Sequence, residues 1–101
     1  MKALKLSKDN FDSAIQSEKP VLLDFYADWC GPCRLVLPIV EEIAGERDDV
    51  GVAKVNVDDE PELAERFGVF SIPALFVLKN GEVVKKATGA RPKEQILALL
   101  N

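Results

Sequence analysis

The chain has 101 residues, 48% of them hydrophobic and 30% charged, enough to bury one core and too few for two, so it reads as a single domain spanning residues 1–101. A net charge of −4 with no basic stripe argues against a nucleic-acid surface. The run Met1 to Asp9 has no apolar segment of signal-peptide length, and no stretch approaches a membrane span, so the expectation is a cytoplasmic monomer with no membrane contact.

Lys2 to Leu6 alternates weakly and predicts a short edge strand. Ser7 or Asp9 is placed to cap the following helix, whose apolar positions Phe11, Ala14 and Ile15 share one face. Pro20 is expected to end that segment, because it has no N–H and constrains Lys19 before it. Val21 to Ala27 is apolar on both faces except for Asp24, the pattern of a central strand covered on both sides. A carboxyl group buried there without a cationic partner has a raised pKa, which is unfavourable unless the group has a task.

Trp29-Cys30-Gly31-Pro32-Cys33 follows and holds both cysteines of the chain. Two thiols separated by two residues at a strand-to-helix junction suit redox chemistry. Cys30 falls at the start of the helix, where unpaired N–H groups and the positive end of the dipole favour a thiolate. A free thiol of pKa ~8.5 is about 3% ionised at pH 7, whereas one brought towards ~7 by a helix N-terminus is about half ionised. Cys33 comes roughly one turn later on the same side and is placed to resolve a mixed disulfide. A closed zinc site needs about four sulfur or nitrogen ligands, and this chain has two cysteines and no histidine. A structural staple closing so short a loop would contribute only roughly 2 kcal/mol.

From Pro32 to about Gly45 the spacing predicts a helix with Cys33, Val36, Leu37, Val40, Ile43 and Ala44 on its apolar face. Pro32 suits its first turn, while Pro38 removes the bond to the Arg34 carbonyl and should kink it. Gly51 to Val57 predicts a strand interrupted by Lys54. The Lys54 ammonium either approaches Asp24 and lowers its pKa, or reaches water while its stem packs. Asp58 to Gly68 reads as a short capped helix whose acidic start compensates the dipole, since the calcium-loop pattern is missing. Ala74 to Leu78 is an apolar strand after Ser71-Ile72-Pro73, and its X-Pro bond is trans by base rate alone. Lys79-Asn80-Gly81-Glu82 signals a two-residue hairpin into Val83–Thr88. Gly89 follows, and Pro92 opens a last helix with Ile96, Leu97 and Leu100 inward. The order is βαβαβαββα, an α/β fold with a central mixed five-stranded sheet flanked by four helices.

Phe25 to Arg34, Ser71-Ile72-Pro73 and Lys79 to Glu82 together resemble the thioredoxin family, and the resemblance runs along nearly the whole chain in the right order. The Cys-Gly-Pro-Cys spelling is that of its short, single-domain bacterial form. The resemblance implies a thioredoxin fold and a protein-disulfide reductase with no bound cofactor, working through a redox-active Cys30–Cys33 disulfide. It implies Asp24 beneath that disulfide, exchanging protons with Cys33, and a cis Pro73 facing the cysteines with the Ile72 backbone open to an extended client. The implied partners are an NADPH-dependent flavin thioredoxin reductase and disulfide-containing client proteins, docking on Trp29, Gly31, Pro32, Ile72, Pro73 and Gly89. The alternatives are a disulfide oxidant or isomerase of the same fold, disfavoured by the Gly-Pro pair, and a non-catalytic binding subunit. Ala74, Phe70 and Leu37 depart from the usual pattern and bear on partner choice more than on chemistry.

Overall fold

The structure, a computed structural model, describes residues 3–101. Its elements in chain order are β1 (Leu4–Lys5), α1 (Phe11–Ile15), β2 (Val21–Tyr26), α2 (Gly31–Glu46), β3 (Gly51–Asn56), α3 (Pro61–Arg66), β4 (Ala74–Lys79), β5 (Glu82–Thr88) and α4 (Lys93–Leu99). Among the described residues the sheet has five strands in the order β1-β3-β2-β4-β5. The first three are mutually parallel, and β4 runs antiparallel to both β2 and β5. This is the mixed sheet with four helices that the element order predicts.

The apolar run of β2 makes it the centre of the sheet, and all six of its residues are buried. Because side chains alternate across a strand, β2 serves two cores. Val21, Leu23 and Phe25 pack with Phe11 and Ile15 of α1 and Leu63 and Ala64 of α3. On that side Phe67 stacks against Phe11, Phe25 and Phe76 at centroid separations of 5.3, 5.5 and 5.3 Å. Such aromatic pairs contribute roughly 0.5–1.5 kcal/mol each beyond the area they bury. Leu22 faces the other way, joining Val36, Val40 and Ile43 of α2 and Ile96 of α4. Asp24 and Tyr26 share that second face by the same alternation.

Several local expectations are corrected. Neither Ser7 nor Asp9 caps α1: Asn10 holds the cap position without a side-chain cap bond, and its Oδ1 instead accepts the Ser7 N–H at 2.9 Å. Helix α1 ends at Ile15, ahead of Pro20, so the proline is not its terminator. Of the edge strand read over Lys2 to Leu6, Leu4 and Lys5 pair with β3, Leu6 continues with a bond to the Lys54 carbonyl at 2.9 Å, and Lys2 lies outside the described residues. Helix α2 continues on both sides of Pro38, as a helix that this proline bends without ending would. The acidic run before α3 is spent on separate partners. Glu62 alone sits in the first turn, while Asp59 pairs with Lys5 at 3.3 Å and Glu60 accepts the Lys8 N–H at 2.6 Å.

The hairpin forms as its sequence dictates. Asn80 and Gly81 both have positive φ, 53° and 81°, the conformation that asparagine and glycine adopt most readily. Lys79 faces Glu82 across the turn, and a register shift at Val77/Leu78 bends β5. Together with Lys85 and Lys86, that bulge blunts the exposed edge.

Candidate functional site

The two cysteines meet where β2 gives way to α2. Cys30 has extended backbone and occupies the N-cap of α2, and its Sγ accepts the Cys33 N–H at 3.2 Å. The sulfurs are joined as a Cys30–Cys33 disulfide with Cα atoms 5.3 Å apart. Cys33 is wholly buried and Cys30 is 4% exposed. Both pack with Tyr26 and Ala27, with Leu37, Val57 and Ile72 at the margin. A sulfur at a helix N-cap holding a backbone N–H is in a setting that stabilises a thiolate once the bond is reduced.

Asp24 lies on the same sheet face, between Leu22, which packs under α2, and Tyr26, which packs on the cysteines. It has no exposure, and neither carboxyl oxygen has a hydrogen-bond partner among the described residues. Its sheet neighbours are Lys54 on β3 and Leu75 on β4. Burial lifts the carboxyl to about 7, and the Lys54 ammonium opposes that rise. Lys54 also has a partner that neither expectation included. It acts on Asp24 through its charge, while its Nζ extends to Glu41 Oε2 of α2 at 3.5 Å.

The residues expected to dock clients lie beside the cysteines in the chain or on the cis-proline turn and the loop tied to it, with unequal exposure. Trp29 is 69% exposed, and Gly31 and Pro32 are exposed at the start of α2. Ile72 and Gly89 are partly buried, and Pro73 is buried behind them. The Ile72–Pro73 bond is cis, as the family resemblance implies and against the base rate. The Ile72 carbonyl oxygen lies 3.8 Å from Cys30 Sγ. Gly89, at φ 96°, donates its N–H to the Pro73 carbonyl at 2.8 Å and so ties the loop after β5 to the cis-proline turn.

Sequence reasoning missed the groups that hold these residues. The Trp29 indole N–H donates to Asp58 Oδ2 at 2.8 Å, fixing an aromatic ring that packing leaves free. Arg34 donates to the Asp28 carbonyl from Nη2 at 2.9 Å and fastens the turn before Cys30. Glu41 accepts the Ala3 N–H at 2.6 Å while facing Lys54. Asp58 had a visible signal as the first carboxylate after β3. Glu41, on a helical turn rich in carboxylates, had none. Among the described residues no group of three or more metal-ligating side chains forms, and no helix is long and apolar enough to cross a membrane.

A buried disulfide between Cys30 and Cys33 at a strand-to-helix junction of a mixed sheet, beside a cis-proline turn, defines a thiol–disulfide exchange protein. The family model for thioredoxin matches residues 2–101. The chain is 51% identical to a thioredoxin of Alicyclobacillus acidocaldarius over 96% of this chain and 93% of that one. It is 45% identical to one of Bacillus subtilis over 98% and 96%, and 44% identical to one of Staphylococcus haemolyticus over 100% and 97%. The chain belongs to the thioredoxin family. It is a thiol–disulfide oxidoreductase of the protein-disulfide reductase kind, and it works with disulfide-bearing clients and a reductase that restores it.

Proposed function

We propose that Cys30 is the nucleophile and Cys33 the resolving thiol of a cytoplasmic, monomeric, single-domain electron carrier. In the reduced protein the Cys30 thiolate attacks one sulfur of a client disulfide, forming a mixed disulfide and releasing the other client sulfur as a thiolate. Cys33 then loses its proton to the Asp24 carboxylate and attacks Cys30 Sγ. The Cys30–Cys33 bond forms, the second client sulfur leaves, and two electrons have passed to the client. Asp24 returns the proton when the protein is reduced again. A carboxyl near pH 7 is matched to that exchange, because it gives and takes a proton at little driving force.

The observation that carries this reading is the Cys33 N–H on Cys30 Sγ at the helix N-cap, which marks Cys30 as the sulfur whose negative charge is stabilised. Lys54 tunes Asp24 through its charge. Trp29, Gly31, Pro32, Ile72, Pro73 and Gly89 form the client face. A Cβ built on Gly31 would meet nothing within 4 Å, so the chain's own packing does not call for glycine there, and a closely approaching client backbone supplies a reason. The sequence has no dinucleotide fingerprint, so its electrons come from a separate reductase, and membership of the thioredoxin family supports an NADPH-dependent flavin enzyme in that role.

The test is reduction of insulin with dithiothreitol, then with NADPH and a flavin thioredoxin reductase in its place. Turnover in both arms is expected. Turnover in the first alone points to another donor, and a Cys30 thiol that ionises no more readily than a free one would remove the nucleophile assignment.

A further inference from the structure

Phe70 is 98% exposed, more than any other large apolar side chain described. Leaving a phenyl ring in water forgoes roughly 1.5–3 kcal/mol of burial. The backbone around it is nevertheless held. The Val69 N–H donates to the Ala64 carbonyl at 2.9 Å and the Gly68 N–H to the Glu65 carbonyl at 3.0 Å, while the Val69 and Ile72 side chains pack on the core. The ring is thus presented by a fixed turn.

Beside it lies a recess of about 200 Å³ lined by Val69, Ser71, Ala74, Phe76, Lys86 and Thr88. That is below the usual range for a small-molecule site, which starts at roughly 300 Å³, and suits one large side chain. Two of its lining residues, Ser71 and Thr88, are chain neighbours of residues at the redox site. Ser71 precedes Ile72, whose carbonyl is 3.8 Å from Cys30 Sγ, and Thr88 precedes Gly89, which bonds to Pro73. Phe70 is two residues from Ile72, so the chain separates them by at most about 7 Å. A client strand lying along Ile72 spans the same distance in two residues, and its i and i+2 side chains point the same way.

We propose that the recess beside Phe70 is a specificity pocket for the client protein, taking a bulky apolar side chain two residues from the attacked cysteine. The inference rests on the reductase reading and adds the class of client it prefers. Lys86, whose Nζ sits 5.7 Å from the Phe76 ring centroid, places a positive charge at the pocket wall and favours an acidic residue beside the apolar one.

The experiment compares two disulfide-bridged peptides that differ only in leucine or serine two residues from the reacting cysteine. Dithiothreitol is the reductant, and wild type, Phe70→Ser and Phe70→Leu are the catalysts. The quantity read is the ratio of kcat/KM values for the two peptides, so a general loss of activity cancels. Wild type is expected to prefer the leucine peptide about tenfold or more, the low end of the range for one apolar contact. Phe70→Ser should lower the ratio to near one, and Phe70→Leu should retain most of it. A ratio unchanged in Phe70→Ser, or already near one in wild type with normal turnover, overturns the pocket. Failure of wild type to turn over either peptide would instead overturn the reductase reading beneath it.

Discussion

Asp24 is the residue whose chemistry and stability are most opposed. Its carboxyl is about 7 in the folded protein and 3.8 when free of burial. Between those values the folded state holds a proton that the unfolded state has lost, so stability falls as pH rises through this window. The penalty is absent below about pH 4 and complete above about pH 7, where it amounts to roughly 4 kcal/mol. Asp24→Asn should therefore gain about 4 kcal/mol relative to wild type between pH 4 and pH 8, read from urea unfolding at each pH. Parallel pH profiles for the two proteins would contradict this. The same variant should slow turnover where proton transfer to the carboxylate is needed. Glu41 acts one step further out. Replacing it with glutamine leaves the Lys54 charge less compensated, and the Asp24 carboxyl should then titrate lower by carbon-13 NMR. An unchanged or raised value would show that the Lys54 ammonium swings away once Glu41 is neutral.

Helix α2 and the β4–β5 hairpin show how far an element follows from its own residues. The face of α2 that its spacing predicts has Cys33, Val36, Val40, Ile43 and Ala44 buried and Leu37 only partly so, because a 3.6-residue period leaves few alternatives. The hairpin follows from Asn80-Gly81 for an equally local reason. At Gly81, φ 81° is unfavourable for any residue with a Cβ, and an added Cβ would stand 2.5 Å from the Gln16 side-chain nitrogen. Gln16 can yield, so Gly81→Ala should cost about 1–2 kcal/mol, mainly backbone strain, lowering Tm by several degrees. The turn follows the end of β4 remote from Pro73, so disulfide reduction should keep its wild-type rate. The capping of α1 was not legible, since Ser7, Asp9 and Asn10 are all able caps and the packing of Phe11 and Ile15 decides the start of the helix.

At the scale of the molecule, one sheet separates two apolar layers, with β2 buried in both directions. Amides of β2 and β4, paired on both sides, should exchange with solvent most slowly, near the global unfolding limit. Those of β1, a two-residue edge strand, and of the bulged β5 edge should exchange orders of magnitude faster. Comparable protection across all strands would mean that the edges are held by something other than the sheet. The layering also explains why a site on a stable scaffold keeps an exposed rim: Trp29 and Phe70 lie on turns at the margin of the sheet, where no helix covers them.

Element types, the central place of β2, the turn at Asn80-Gly81 and the pairing of thiols at a helix start are set by short-range chemistry, and the linear chain already contains them. Motif resemblance reached further, to the cis Pro73 that base rates oppose. What no local rule reaches is which distant groups meet: Asp58 with the Trp29 indole, Glu41 with Lys54 and Ala3, and the Phe70 recess beside Thr88. Those contacts join residues between 13 and 38 positions apart in the chain. They depend on the strand order and register of the whole sheet, which form only when both apolar layers close together.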